Sequence, residues 1–135
     1  MAADDDVIER ILKSSHVIAV VGCSREEGKP SHDVPRYLQS KGYRIIPINP
    51  FADIILGEKV YKSLEEIKEP VDVVDVFRPS AETPDIARQA AAIHAKALWL
   101  QEGIMNEDAK RIAEDSGMLF VMDRCMKVEH GMRMH

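Results

Sequence analysis

A chain of 135 residues can bury one real core and has little room for a second, so a single unit spanning 1–135 is expected. Hydrophobic residues at 45% and charged ones at 30% exclude a disordered chain, and no apolar run approaches the length that crosses a bilayer. The formal charge of −5 argues against nucleic acid as a partner, because such binding relies on a cationic surface; any polyanion must be met by cations gathered locally.

The acidic opening "MAADDDVIER" lacks the cationic and apolar regions of a secretory signal, which makes a cytoplasmic protein the expectation. From Asp4 to about Lys13, Val7, Ile8, Ile11 and Leu12 recur at helical spacing, with acids first and a cation last, which predicts a short leading helix. Five short apolar runs follow: "HVIAVVG" (16–22), "YRIIPIN" (43–49), "VDVVDVF" (71–77), "KALWLQ" (96–101) and "MLFVMD" (118–123). Their length and β-branched content predict buried strands. Helical patterns lie between them at Ser31 to Lys41, Thr83 to His94 and Asn106 to Ser116, and "GEKVYKSLEEIKEP" predicts a short extended piece and a helical turn. This alternation predicts an α/β fold in three layers, a mostly parallel sheet of about five strands with helices on both faces. Pro47, inside the second run, is awkward for a central strand.

Ligands of open α/β sheets bind outside the carboxyl ends of the strands, so the residues after each run matter most. The first run is followed by Gly22, Cys23, Ser24, Arg25 and Lys29, the second by Asn49-Pro50, and the third by Arg78-Pro79-Ser80. Gln101-Glu102-Gly103 follows the fourth, and Asp123-Arg124-Cys125-Met126-Lys127 the last. In the first loop, Gly22 permits close approach of backbone to a ligand, Ser24 offers a hydroxyl, and Arg25 and Lys29 neutralise phosphate oxygens. The loop alone fits equally a plain β-to-α turn with solvated cations; the other strand exits tip the reading toward a phosphorylated ligand. "GCSREEGK" is not Gly-x-Gly-x-x-Gly, and Asn49-Pro50 stands where an acid would grip the ribose of NAD. NADP is weakened less, and a P-loop hydrolase is excluded by the missing Gly-Lys-Ser/Thr signature.

The segments "VGCSREEGKPSHDVPRYLQSKGYRIIPINP", "GEKVYKSLEEI", "PVDVVDVFRP", "AKALWLQEGI" and "VMDRCMKVEH" resemble the small, stand-alone CoA-binding proteins, relatives of the CoA-binding domain of succinyl-CoA synthetase α subunits and ADP-forming acyl-CoA synthetases. The resemblance spans residues 17–130 and implies a Rossmann-like fold with coenzyme A as ligand. It assigns Gly22, Ser24, Arg25 and Lys29 to a phosphate loop, with Cys23 on the same loop. It sets Asn49 and Pro50 at the nucleotide's border, Phe77, Arg78 and Pro79 beside it, and Gln101 and Gly103 on another ligand-facing turn. Arg124 and Cys125 close the site. The pyrophosphate and 3′-phosphate of CoA need several cations and no acid after the second strand. The synthetases perform ligation with a phosphohistidine and a nucleotide-grasping domain that this chain has no length to supply, so ligase activity is not carried over.

No catalytic set stands out. The five histidines have no metal-pair spacing and are expected to be structural or solvated, with His32 a possible phosphate donor and the tail "HGMRMH" an exposed terminus. Cys23 and Cys125, two thiols with no Cys-x-x-Cys spacing, are expected to be free and packed; the alternative is a mixed disulfide with CoA. Asp72, Asp75 and Asp123 are expected to cap helices or pair with Arg78 and Arg124, the methionines Met105, Met118, Met122 and Met126 to fill core, and Trp99 to pack. The expectation is a protein that binds CoA or an acyl-CoA without chemistry of its own. The rivals are an NADP-dependent oxidoreductase and a CoA-responsive interaction module serving a partner enzyme.

Overall fold

The computed structural model describes residues 2–134, with side chains from Asp4 onward. In chain order the elements are α1 (Ala2–Ser14), β1 (Val17–Val21), α2 (Pro30–Ser40), β2 (Arg44–Ile48), a hairpin of β3 (Ile54–Ile55) and β4 (Glu58–Lys59), and β5 (Val73–Val76). Then come α3 (Thr83–Ala92), β6 (Ala97–Leu100), α4 (Glu107–Asp115), β7 (Leu119–Val121) and α5 (Met126–Arg133), with 3-10 turns at Leu64–Glu66 and Ser80–Glu82.

Strand residues alternate between two cores, and this alternation makes the three layers. Ile18, Val20, Val73 and Trp99 face one side, where they meet Ile8, Ile11 and Leu12 of α1, Val34 and Leu38 of α2, and Met126 of α5. Ala19, Val74, Val76, Leu98 and Leu100 face the other, against Ile86, Ala87 and Ala90 of α3 and Ala109 and Ala113 of α4. The small alanines let α3 and α4 lie close on the sheet.

The five-stranded sheet is parallel throughout, in the order β2-β1-β5-β6-β7. From β1 the chain goes by way of α2 to β2 on one side; after the hairpin it returns to build β5, β6 and β7 on the other. The order therefore reverses between β1 and β5, and their carboxyl ends diverge into a crevice. Because β2 is an edge strand, Pro47 costs no ladder bond on its outer side, which resolves the difficulty of a proline in that run.

The extended piece and helical turn expected in "GEKVYKSLEEIKEP" are β4 and the 3-10 turn Leu64–Glu66, whereas the pairing of β4 with a further strand, β3, and a final helix were not expected. The β3–β4 hairpin turns through Leu56 and Gly57, both with positive φ (55° and 75°). The chain also ends in a helix rather than an exposed tail: His130 of α5 is buried, its ring between Tyr37 and Tyr43, and Arg133 bonds Asp5 of α1 (2.8 Å) and Glu129 (3.0 Å). His135, the last residue of that tail, lies outside the described residues, as does Met1 of the acidic opening. No helix among the described residues is long and apolar enough to cross a membrane.

Candidate functional site

The turn after β1 is built by hydrogen bonds from its own neighbours. Gly22 and Cys23 both donate backbone N–H to the carbonyl of Ile48 (3.2 Å each), and Asn49 donates its side-chain amide to the Cys23 carbonyl (2.9 Å). Gly22 adopts φ +84°, and a Cβ there would stand 2.7 Å from the Phe77 carbonyl oxygen on β5's exit. The glycine is thus demanded by the meeting of two strand exits, a reason other than the approach to ligand read from the sequence. Further on, Ser24 N–H donates to Ser31 (3.0 Å), and His32, buried, donates Nδ1–H to the Ser24 carbonyl (2.8 Å). That bond commits His32 Nδ1 to the loop. The Ser24 hydroxyl oxygen accepts from Glu26 N–H (3.0 Å), which leaves its own proton free to donate.

Cys23 turns its thiol into the core. Burial, and secondarily the carboxyl of Asp75, pushes its pKa up to about 12. It is inert packing, in keeping with the structural expectation.

At the β1/β5 reversal lies a cleft of about 800 Å³, walled by the Gly22–Ser24 turn, Lys29, Ser31, Asn49, Pro50, Phe51, Lys62, Phe77 and Arg78, with Glu82, Asp85, Ile86 and Gln89 of the α3 entry opposite. The N-terminus of α2 opens onto it, and with it the positive end of the helix dipole. Three cations line the cleft, each beside a carboxylate. Lys29 is 3.0 Å from Glu26, Lys62 is 3.7 Å from Asp53, and Arg78 holds Glu82 through two bonds of 3.0 and 2.8 Å. That pairing holds the Glu82 carboxyl below its ordinary range and raises Arg78. Such exposed pairs are weak, because solvent and salt screen them. Lys62 and the 86%-exposed ring of Phe51 were missed by the sequence reading, which looked only at the residues immediately following the strands.

Asn49 does not offer its side chain to a ligand. Its Oδ1 accepts from the N–H groups of Phe51 (2.7 Å) and Ala52 (3.0 Å) while its Nδ2 grips the β1 turn, so it ties two walls of the cleft together.

A second cavity of about 490 Å³ adjoins the cleft and shares Ser31, Phe77 and Arg78 with it. Its remaining walls are Pro30, Val34, Pro79, Gln101, Glu102, Ile104 and half-buried Cys125. Gln101 donates to Asp75 and accepts from Met126 N–H (3.4 Å), coupling the middle of the sheet to the start of α5. Asp75 is wholly buried; burial, opposed by Gln101 and the Val76 N–H, raises its pKa to about 7.

The remaining expected residues stand elsewhere. Arg25 is exposed on the loop and pairs with no carboxylate among the described residues. Gly103 donates its N–H to Asp123 (2.7 Å). Arg124 lies 3.5 Å from buried Glu129 and lines a different cavity, of about 510 Å³, between α1, α4 and the β7 edge. Its carbonyl accepts the Trp99 indole N–H (2.8 Å). The three aspartates pair with neither Arg78 nor Arg124. Burial pushes the Asp72 carboxyl up, but the N–H groups of His16 and Val17 (2.8 and 2.9 Å) and Lys96 outweigh it and hold it low. Met118 and Met126 fill core as expected, whereas Met105 is 52% exposed. No group of three or more potential metal ligands occurs among the described residues.

A family model for a CoA binding domain matches residues 16–131. The chain is 42% identical over 123 residues to YneT, an uncharacterized protein of Bacillus subtilis, with 91% of each chain covered. It is 31% identical over 99 residues to acetate–CoA ligase (ADP-forming) II of Archaeoglobus fulgidus, a stretch that is 72% of this chain and only 15% of the ligase. Among solved structures, cell-free ID.343 from Thermus thermophilus superposes with a TM-score of 0.90 at 37% identity, covering 96% of this chain and 98% of that one.

Proposed function

Since the chain belongs to the CoA binding domain family, we propose that the cleft at the β1/β5 reversal holds coenzyme A in a cytoplasmic setting and does so without chemistry of its own. The observation that carries this reading is the coincidence, in one cleft of about 800 Å³, of the Gly22 turn, the α2 N-terminus and the cations Lys29, Lys62 and Arg78. Phosphates of the ligand replace Glu26, Glu82 and Asp53 as partners of those cations, and the Ser24 hydroxyl adds a donor. Arg25 swings in from the loop as a further charge. Asn49 and Pro50 border the nucleotide, Phe77, Arg78 and Pro79 lie beside it, and the pantetheine arm ends at Phe77, where the cleft opens toward Gln101 and Cys125. Gly103 and Arg124 act from behind, by shaping the turn and the α5 entry that carry those residues.

Of the carboxylates lining the cleft, Asp85 accepts from Gln89 (2.8 Å), a bond the ligand leaves in place, which supports holding rather than turnover.

Isothermal titration with CoA, NADP, NAD and ATP tests the assignment. CoA is expected to bind the tightest, and the double variant Arg25→Ala/Lys29→Ala to weaken it by about tenfold or more, as the loss of charge-assisted hydrogen bonds requires. Unchanged affinity in the double variant, or a preference for NADP, would count decisively against it.

A further inference from the structure

The cavity beside Cys125 differs in chemistry from the cleft it adjoins. Its walls are carbon surfaces from Pro30, Val34, Phe77, Pro79 and Ile104, and its one cation, Arg78, stands at the shared boundary. Of its polar side chains, Gln101 has both ends of its amide occupied, by Asp75 and by Met126 N–H, and Glu102 is an anion. A thiol terminus needs no such room. About 490 Å³ of apolar space continuous with a phosphate-binding cleft suits a hydrocarbon attached to the far end of the same ligand.

We infer that this compartment receives the acyl group of an acyl-CoA, so that the ligand of the site is a short- to medium-chain, uncharged acyl thioester rather than the free coenzyme. The inference rests on the CoA reading above. Glu102, with no cation beyond the boundary, sets the second half of the specificity: an acyl chain ending in a carboxylate is repelled and finds no partner.

Titration of the wild-type protein with CoA and with acetyl-, butanoyl-, hexanoyl- and succinyl-CoA decides the matter. Affinity is expected to rise about two- to fourfold per added methylene up to hexanoyl, the gain that burying each one supplies. Succinyl-CoA, with the same carbon count as butanoyl-CoA, is expected to bind at least about tenfold more weakly than it. If CoA binds and the acyl series is flat or falls with length, or if succinyl-CoA equals butanoyl-CoA, the acyl compartment is refuted while the CoA site stands. If no member of the series binds, CoA included, both readings fall. Ile104→Asp should flatten the chain-length series; the wild-type measurements stand without it should that variant fail to fold.

Discussion

Asp75 has one carboxyl oxygen bound by Gln101 and the other with no partner, in the interior between sheet and helices. Burial holds its folded-state pKa up at about 7, whereas an aspartate of an unfolded chain titrates near 3.9. Between those pH values the folded protein keeps a proton that the unfolded chain has lost. Stability contributed by this group is therefore complete at low pH, drains away as pH rises toward 7 and is level above it. Asp75→Asn, which cannot titrate, is expected to stabilise the protein at pH 8 relative to pH 5 by a few kcal/mol when compared with wild type. His130, whose pKa burial and then Lys41 lower, acts with the opposite sign nearby, so the informative quantity is the wild-type-minus-variant difference in urea midpoint across pH 5 to 8. Parallel pH profiles would show that Asp75 is ionised throughout. None of this was legible in "VDVVDVF". An alternating acid reads as a cap or an ion-pair partner, and only the packing of α5 over the sheet reveals a carboxyl with neither.

At the level of elements, the strands and the first four long helices follow from apolar period, and the helix starts from Pro30, Pro84 and the Asn106 cap, whose Oδ1 accepts from Ala109 N–H (2.9 Å). The extended piece that is β4 was expected, but β3 and the turn that pairs them escaped because the two central turn residues are Leu56 and Gly57: a leucine in the left-handed region gives none of the Asn-Gly or Asp-Gly signal such turns show. Helix α5 escaped for a different reason. Its eight residues include Val128 and Gly131 and leave Met132 62% exposed, so its order comes from tertiary bonds to α1 and α2 rather than from local pattern. Asn49 illustrates the same limit in the site, since its identity was read as a tolerance for phosphate when its work is to join the β1 and β2 exits. Asn49→Ala loses three hydrogen bonds and is expected to cost about 1–3 kcal/mol of stability together with much of the CoA affinity. Asn49→Asp keeps both acceptor bonds and should fall between that variant and wild type in urea denaturation, while its added carboxylate, set in the wall of the phosphate cleft, should lower CoA affinity in calorimetry at least as far as alanine does. Equal loss of stability from the two substitutions would mean that the bond to the Cys23 carbonyl alone matters.

Over the whole molecule, a net charge of −5 has to be reconciled with a ligand bearing several phosphates. Sequence alone places cations at three strand exits, after β1, β5 and β7, as if along one rim, and the fold divides them: Lys29 and Arg78 line the cleft, Lys62 joins them from the segment after the hairpin, and Arg124 turns toward buried Glu129. Proximity to a strand end fixes the edge of the sheet on which a residue emerges, but not which way its side chain turns once helices compete for it. Lys29 and Arg78 are held by acidic neighbours and Lys62 by the Ala52 carbonyl (2.8 Å) with Asp53 beside it, so on the proposed reading CoA binding would exchange carboxylates for phosphates within exposed pairs. Removing the competing acid ought then to tighten binding. Glu82→Gln, which frees the Arg78 guanidinium, is expected to raise CoA affinity by about two- to fivefold at low ionic strength, an advantage that shrinks as salt screens the cleft. Lys62→Gln should move affinity the opposite way and lessen its dependence on salt. A Glu82→Gln protein that binds CoA more weakly than wild type at low salt would mean that the carboxylate positions Arg78 for the phosphate instead of competing with it.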